Sequence, residues 1–246
     1  MNPSSLCRLA VAVLVMGLVG CGPSRMALKP SFWTETQHKV GVATLPPPKL
    51  GAYRAGSQGL LDIAINSAMA GSLEAHLQTV DVSRFAAVAD EYVARLNARG
   101  LNARKLEQPV DVTRMKDFNT GGSEKFAEKD LRPLAEKEQL DKLILLSLVQ
   151  CGTMRPYYGF IPLGPPQALC VARGEMVDLK TNAVLWRAIP EQEQTLLPVS
   201  GEWDQPPDFR NVTASIQQSV TSAQAFLLKD FFETAKAAPV ASKAQP

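Results

Sequence analysis

The clearest pattern in the chain is a continuous apolar run at 143–149, in which Ser147 is the one polar side chain. Such a run is typical of a strand whose two faces are both covered by other elements. A second strand is predicted at 168–179, a turn follows at 180–183, and Val184 begins the return strand. We therefore expect an extended β-hairpin near residues 143–179.

Helical spacing of apolar residues marks much of the remaining chain. Apolar side chains recur every three or four residues at 60–79 and 84–99, and a third helix is predicted at about 124–139. Shorter strands are predicted at 39–45 and at 102–112. Strands and helices therefore alternate before the hairpin.

A long final helix is expected after Pro206 and Pro207. We interpret its apolar stripe as facing the core, with a surface for a partner helix as the alternative. The full order of elements predicts a single α/β domain over 39–235, a mixed β-sheet with helices packed on it, followed by a disordered tail at 236–246. The stripe consists of Phe209, Val212, Ile216, Val220, Ala223, Leu227 and Phe231.

Charge adds little to this picture. The 246 residues contain 26 Lys and Arg against 24 Asp and Glu, and no basic stripe emerges. Electrostatics therefore give no reason to expect nucleic acid as a partner.

The amino terminus has the pattern of an export signal. Arg8 precedes the uncharged run 9–19, which is too short to span a bilayer, and Leu18-Val19-Gly20-Cys21 follows. These residues resemble the signal peptide and lipobox of bacterial lipoproteins, with an ordinary cleaved signal as the alternative. The resemblance implies removal of residues 1–20 and acylation of Cys21, for example with palmitate.

The residues after Cys21 bear on where the protein lies. Gly22 stands where an aspartate tends to retain such lipoproteins in the inner membrane, so the resemblance implies the periplasmic face of the outer membrane. Residues 21–38 show no clear periodicity and are interpreted as the lipidated cysteine and a tether. A tether of this length would hold the domain up to roughly 50 Å from the lipid.

A second resemblance covers the domain. The element order, the hairpin at 177–186 and the helix-to-strand junction at 138–145 are similar to those of a group of periplasmic lipoproteins. The group includes the curli-secretion channel lipoprotein and the activators of penicillin-binding proteins, with folds similar to the amino-terminal domain of TolB. Asn182 stands where their hairpins often have glycine. The resemblance implies a non-enzymatic role in the envelope.

Two cysteines, Cys151 and Cys170, remain beyond the signal. An antiparallel register that places them opposite each other also aligns Val149 with Ala172 and Leu145 with Met176. Because the periplasm is oxidising, we favour a disulfide between them, with two buried thiols as the alternative. A metal site is not expected, because no second pair or nearby histidine completes a coordination shell.

The loop between these cysteines, 154–166, is rich in aromatic residues and proline. Such residues present contact area at a low entropic cost. We therefore expect Tyr157, Tyr158 and Phe160 to contact a partner protein or a neighbouring subunit. The alternative is that the loop folds back and completes the core of its own domain.

The sequence contains no recognisable catalytic set or cofactor motif. Its two histidines, His38 and His76, have no acid or nucleophile at a suggestive spacing. We therefore expect a non-enzymatic envelope adaptor or assembly factor without a cofactor. A ring-forming structural subunit of a secretion or export channel is the alternative.

Overall fold

The computed structural model describes residues 24–57, 59–62, 70–108, 110–190 and 196–233. The predicted signal peptide, Cys21 and the tail at 236–246 lie outside these residues. The strands are β1 (Lys39–Thr44), β2 (Gly51–Ala55), β3 (Asn102–Lys105), β4 (Lys142–Tyr158), β5 (Ile161–Pro162), β6 (Gln167–Asp178), β7 (Val184–Ala188) and β8 (Leu196–Pro198). The helices are α1 (Gly71–Leu77), α2 (Ala87–Asn97), α3 (Pro133–Glu138) and α4 (Arg210–Glu233).

Within the described residues, eight strands form one mixed sheet, which confirms the predicted α/β fold. Its main path is β3-β1-β4-β6-β7. Strand β4 pairs in parallel first with β1 and then with β2, and it pairs antiparallel with β6. The β4–β6 hairpin is therefore the central feature of the sheet, as the sequence predicts.

The apolar run in β4 is buried on both faces of the sheet. Ile144 and Leu146 belong to the larger core, under α2 and α4, while Leu143 and Leu145 belong to a second core on the opposite face. This alternation follows from the pleat, because successive side chains of a strand point to opposite faces. The stripe of α4 is buried in the larger core, so its predicted core-facing role is confirmed.

Several predicted boundaries were wrong. Of the helix expected at 124–139, the structure forms α3 alone, and the strand expected at 102–112 ends at Lys105. The described part of the helix expected at 60–79 includes α1. Strand β2 lies between the strand and the helix predicted at 39–45 and 60–79, in a segment for which no strand was predicted.

Residues 24–38 do not form the free tether that is predicted for 21–38. Phe32 is buried, and its ring lies 6.0 Å from that of Phe231 on α4. Met26 exchanges two backbone hydrogen bonds of 2.9 Å with Arg187 on β7. The segment therefore packs against the domain, because its few apolar side chains bury against an aromatic core that the sequence pattern does not reveal.

That aromatic core joins three parts of the chain. Trp186 of β7 packs edge-on against Phe231 at 4.8 Å between ring centroids, and Tyr92 of α2 lies 5.1 Å from Phe232. The Tyr92 hydroxyl donates to the Leu227 carbonyl at 2.7 Å, and burial raises the pKa of this phenol well above its usual value. The phenol therefore acts as a permanent hydrogen-bond donor between α2 and α4.

Candidate functional site at the tip of the central hairpin

The register of the β4–β6 hairpin differs from the expected one by a single residue in the half far from the connecting loop, which we call the lower half. Cys151 lies opposite Cys170 as predicted, but a β-bulge at Val149 shifts the pairing below it. Ala172 therefore pairs with Leu148, and Met176 with Ile144, so the expected partners Val149 and Leu145 were wrong. The bulge turns the Val149 side chain toward solvent, where 44% of the residue is exposed.

The structure joins Cys151 and Cys170 in a disulfide, with their Cα atoms 4.1 Å apart. Both residues are buried in the larger core. The bond lies in the upper half of the hairpin, between the bulge and the tip. It therefore cross-links the two strands that carry the aromatic loop.

The tip of this hairpin exposes large apolar side chains. Tyr158 is 73% exposed and Phe160 is 56% exposed, and Ile161 and Leu163 beside them are also exposed. The backbone N–H of Gly159 donates to the Ser57 carbonyl at 3.1 Å, which brings the segment after β2 to the tip. We call the following exposed residues the apolar tip: Tyr158, Phe160, Ile161 and Leu163.

Tyr157 does not belong to this exposed set. Only 8% of its surface is accessible, so the expectation that it contacts a partner directly was wrong. The reason is the alternation of the strand, which turns Tyr157 toward the helical face and Tyr158 away from it. Tyr157 thus packs into its own domain, whereas Tyr158 and Phe160 are exposed, and their contact with a partner stays a prediction.

Short contacts hold the tip in one conformation. The Leu163 N–H donates to the Pro156 carbonyl at 2.9 Å, and Arg155 Nε donates to the Gly164 carbonyl at 2.6 Å. Gly159 has φ of 59°, a left-handed conformation that glycine adopts without a steric cost. The apolar side chains are thus presented on a backbone that is already ordered.

A cavity of about 270 Å³ lies below the tip, on the helical face of the sheet. It is bounded by the upper halves of β2 and β4, by the start of α1 and by the loop before α4. Sequence reasoning missed this cavity, because its walls, which also include Pro162 and Pro166, come from five separate segments of the chain. Its principal lining side chains are Arg54, Ser72, Thr153, Arg155, Trp203 and Phe209.

The structure places the two histidines in unrelated surroundings. His38 Nε2 lies 3.5 Å from a Glu35 carboxylate oxygen, and its Nδ1 lies 3.8 Å from Asp141. His76 Nε2 is 2.7 Å from Thr213 Oγ1. Across the described ranges, no group of three or more His, Cys, Asp or Glu side chains is arranged to hold a metal ion.

No helix in the described part of the chain combines the length and the apolar character needed to cross a membrane.

No protein-family model matches the chain, and no curated protein is significantly similar to it. Among solved structures, the chain is similar to protein XCC0632 from Xanthomonas campestris, at 10% identity and a TM-score of 0.36, over 84% of this chain and 90% of that one. The hypothetical protein CT253 from Chlamydia trachomatis aligns at 12% identity and a TM-score of 0.36, over 78% and 97% of the two chains. A PelC dodecamer from Paraburkholderia phytofirmans aligns at 12% identity and a TM-score of 0.26, over 82% and 95%. Similarity this low carries no information about function.

Proposed function

We propose that this protein is a lipid-anchored, non-enzymatic adaptor or assembly factor of the bacterial cell envelope. Cys21 carries the lipid on the periplasmic face of the outer membrane, and the apolar tip docks a partner protein. The observation that carries the proposal is the exposure of large apolar side chains on an ordered hairpin. The resemblance of residues 1–21 to a lipoprotein signal supports the location.

The physical case for docking rests on the cost of leaving these side chains in water. Each fully buried side chain of this size contributes about 1.5–3 kcal/mol. An exposed apolar cluster on a soluble domain typically marks a surface that another molecule covers. Aromatic side chains are also the usual anchors of protein interfaces.

The order of the tip strengthens this case. Contacts from Arg155 and Leu163 fix the loop before any partner arrives, so little conformational entropy is lost on docking. The disulfide between Cys151 and Cys170 adds a covalent restraint at the base of the same hairpin.

Site-specific photo-cross-linking in the native envelope tests the docking surface. A photoreactive phenylalanine analogue at Phe160 should capture a discrete partner protein. The same analogue at Arg114, whose side chain is 88% exposed elsewhere on the domain, should not. Capture of the same species from both positions, or from neither, would contradict docking at the tip.

A serine variant gives the second arm of this experiment. Tyr158→Ser, Phe160→Ser and Ile161→Ser together should leave the unfolding midpoint nearly unchanged, because all three side chains are exposed. They should abolish co-purification of the partner. Val149→Ser, which alters an exposed apolar residue at the bulge, is the matched control and should retain the complex.

Light scattering of the purified protein separates a partner from self-association. A monomer that becomes part of a larger complex with a second protein supports the adaptor. A ring of identical subunits that disassembles in the serine variant would assign the tip to subunit contacts, and thus to the structural subunit considered above.

The anchor is tested separately by mass analysis of the mature amino terminus. We expect the chain to begin at Cys21 and to carry acyl chains. Cys21→Ala should retain the leader and incorporate no labelled palmitate. An unmodified mature terminus in the native protein would contradict the anchor.

A further inference from the structure

The cavity below the apolar tip contains an arginine whose position is fixed by its neighbours. Arg155 Nε donates to the Gly164 carbonyl, and its Cζ lies 4.7 Å from the centroid of the Trp203 ring and 5.7 Å from that of Tyr157. Within the described segments, no carboxylate lies within 4.0 Å of this guanidinium, and its terminal nitrogens donate no hydrogen bond. Stacking and one hydrogen bond thus hold the group while its outer N–H donors remain available.

A second arginine lies beside it on the neighbouring strand. Arg54 is the register partner of Arg155 in the parallel β2–β4 pair, so both side chains lie on the same face of the sheet. A terminal nitrogen of Arg54 lies 2.8 Å from a Glu74 carboxylate oxygen. The Arg54 charge is therefore matched by a neighbour, whereas the Arg155 charge is not.

The rest of the lining is mixed. Leu73 and Phe209 are buried apolar side chains in the wall, while Thr153 and Ser72 supply hydroxyl groups. Asp204 also lines the cavity, from an exposed loop position. The cavity therefore combines an apolar wall with a single unmatched positive charge, and Asp204 disfavours a ligand with more than one negative charge.

We propose that this cavity binds a monocarboxylate attached to a small apolar body, with Arg155 as the carboxylate-binding residue. The planar guanidinium presents paired N–H donors that match the two oxygens of a carboxylate. The apolar wall formed by Leu73 and Phe209 receives the body of the ligand. This site is distinct from the docking surface, although Tyr157 and Pro162 connect the two and Arg155 also contacts the loop at Gly164.

Calorimetric titration of the full-length protein in detergent tests the proposal with a matched pair of probes. N-acetylphenylalanine presents a carboxylate on an apolar body, and N-acetylphenylalaninamide has the same body without the charge. We expect the acid to bind with a dissociation constant below about 1 mM and the amide to bind at least about tenfold more weakly. A peptide that ends in phenylalanine with a free carboxyl group then distinguishes a chain terminus, which binds more tightly than the single residue, from a free small molecule, which does not.

Four variants identify the residue responsible. Arg155→Met should reduce affinity for the acid by about tenfold or more, and Arg155→Lys should restore part of it, because the charge remains while the paired donors are lost. Ser72→Trp leaves Arg155 intact and blocks the cavity from an exposed position, so it should also abolish binding. Arg114→Met, an exposed arginine elsewhere, should have no effect.

Three results would overturn this site: equal binding of acid and amide, inorganic phosphate binding as tightly as the acid, or no binding of the acid up to about 10 mM. Retention of binding in both Arg155→Met and Ser72→Trp would do the same. None of these results affects cross-linking at Phe160, so the failure of this site and the failure of the docking surface are distinguishable.

Discussion

Asn182 is fully buried, and its side-chain amide serves three backbone groups of the loop that crosses the second face of the sheet. Its Nδ2 donates to the carbonyls of Ala127 and Lys129, and its Oδ1 accepts from the Leu131 N–H at 3.0 Å. Its φ of 63° is a left-handed conformation, which agrees with its place in the predicted turn at 180–183, where similar hairpins often have glycine. Sequence reasoning thus identified the backbone role of this residue and missed the larger role of its side chain, because the partners are about fifty positions away.

An ion pair between Arg187 and Glu175, on the same face of the sheet, makes the stability of the fold depend on pH. Arg187 is 4% exposed in its side chain, and its Nε donates to Glu175 Oε2 at 2.7 Å. Burial raises the pKa of Glu175 above its usual value, and Arg187 opposes that rise. Because the folded pKa is raised, the stability linked to this proton is present at low pH and is lost as pH rises through the folded pKa.

Arg187→Met should therefore destabilise the fold more at about pH 7 than at about pH 4. At the higher pH the variant must bury an unpaired Glu175 carboxylate, at a cost of about 2–3 kcal/mol in the free energy of unfolding. This cost is smaller than for breaking a fully buried ion pair, because 21% of the Glu175 side chain is exposed. Urea unfolding at the two pH values measures the difference. Adding Glu175→Gln should remove the pH dependence, and a pH-independent loss in the single variant would contradict this account.

At the scale of elements, the hairpin was predictable because the residues that form it lie close together in the sequence. The apolar run in β4 and the turn before β7 lie in adjacent sequence, and the cysteines fix which positions face each other. The bulge at Val149 was not predictable, because the expected register and the observed register both bury apolar side chains on the two faces of the sheet. Strand β2 was hidden for a different reason: glycine and proline surround it, and it is held by pairing with β4.

The disulfide should stabilise this hairpin measurably. Reducing it removes a restraint over a sequence separation of 19 residues, which corresponds to about 3 kcal/mol in the chain-entropy description. Urea unfolding with and without reductant should show this shift in the native protein. The Cys151→Ala, Cys170→Ala variant should show no response to reductant, and an unaltered midpoint on reduction of the native protein would contradict the estimate.

At the scale of the whole molecule, the amino-terminal segment is a structural part of the domain. Arg25 Nε donates to Asp230 Oδ2 at 2.7 Å, and the other oxygen of that carboxylate accepts from Trp186 Nε1 at 2.9 Å. Phe32 adds a buried ring to the same region. This packing escaped sequence reasoning because a short segment without periodicity carries no signal for what it contacts.

Phe32→Ala should therefore lower the free energy of unfolding by about 3 kcal/mol, as expected for truncation of a buried aromatic ring. Ser31→Ala alters the exposed neighbouring residue and should change it by less than about 0.5 kcal/mol. Denaturant unfolding of the two variants makes the comparison. Equal stabilities would indicate that the segment is a free tether after all.

The backbone pairing of Met26 with Arg187 also determines how freely the domain could move above a bilayer. From a lipid on Cys21 to Ser24 the chain spans at most about 10 Å. One flank of the domain would then lie close to the headgroups, and the domain would move over a smaller range than it would on a long flexible tether. Arg187 on β7 pairs with Glu175 on β6, and Glu175 pairs with Leu145 on β4. From Leu145, β4 extends about 40 Å to Tyr158. Attachment at this flank would limit how the domain orients on the membrane, so that the far end of the hairpin would lie at a nearly constant distance from the anchor.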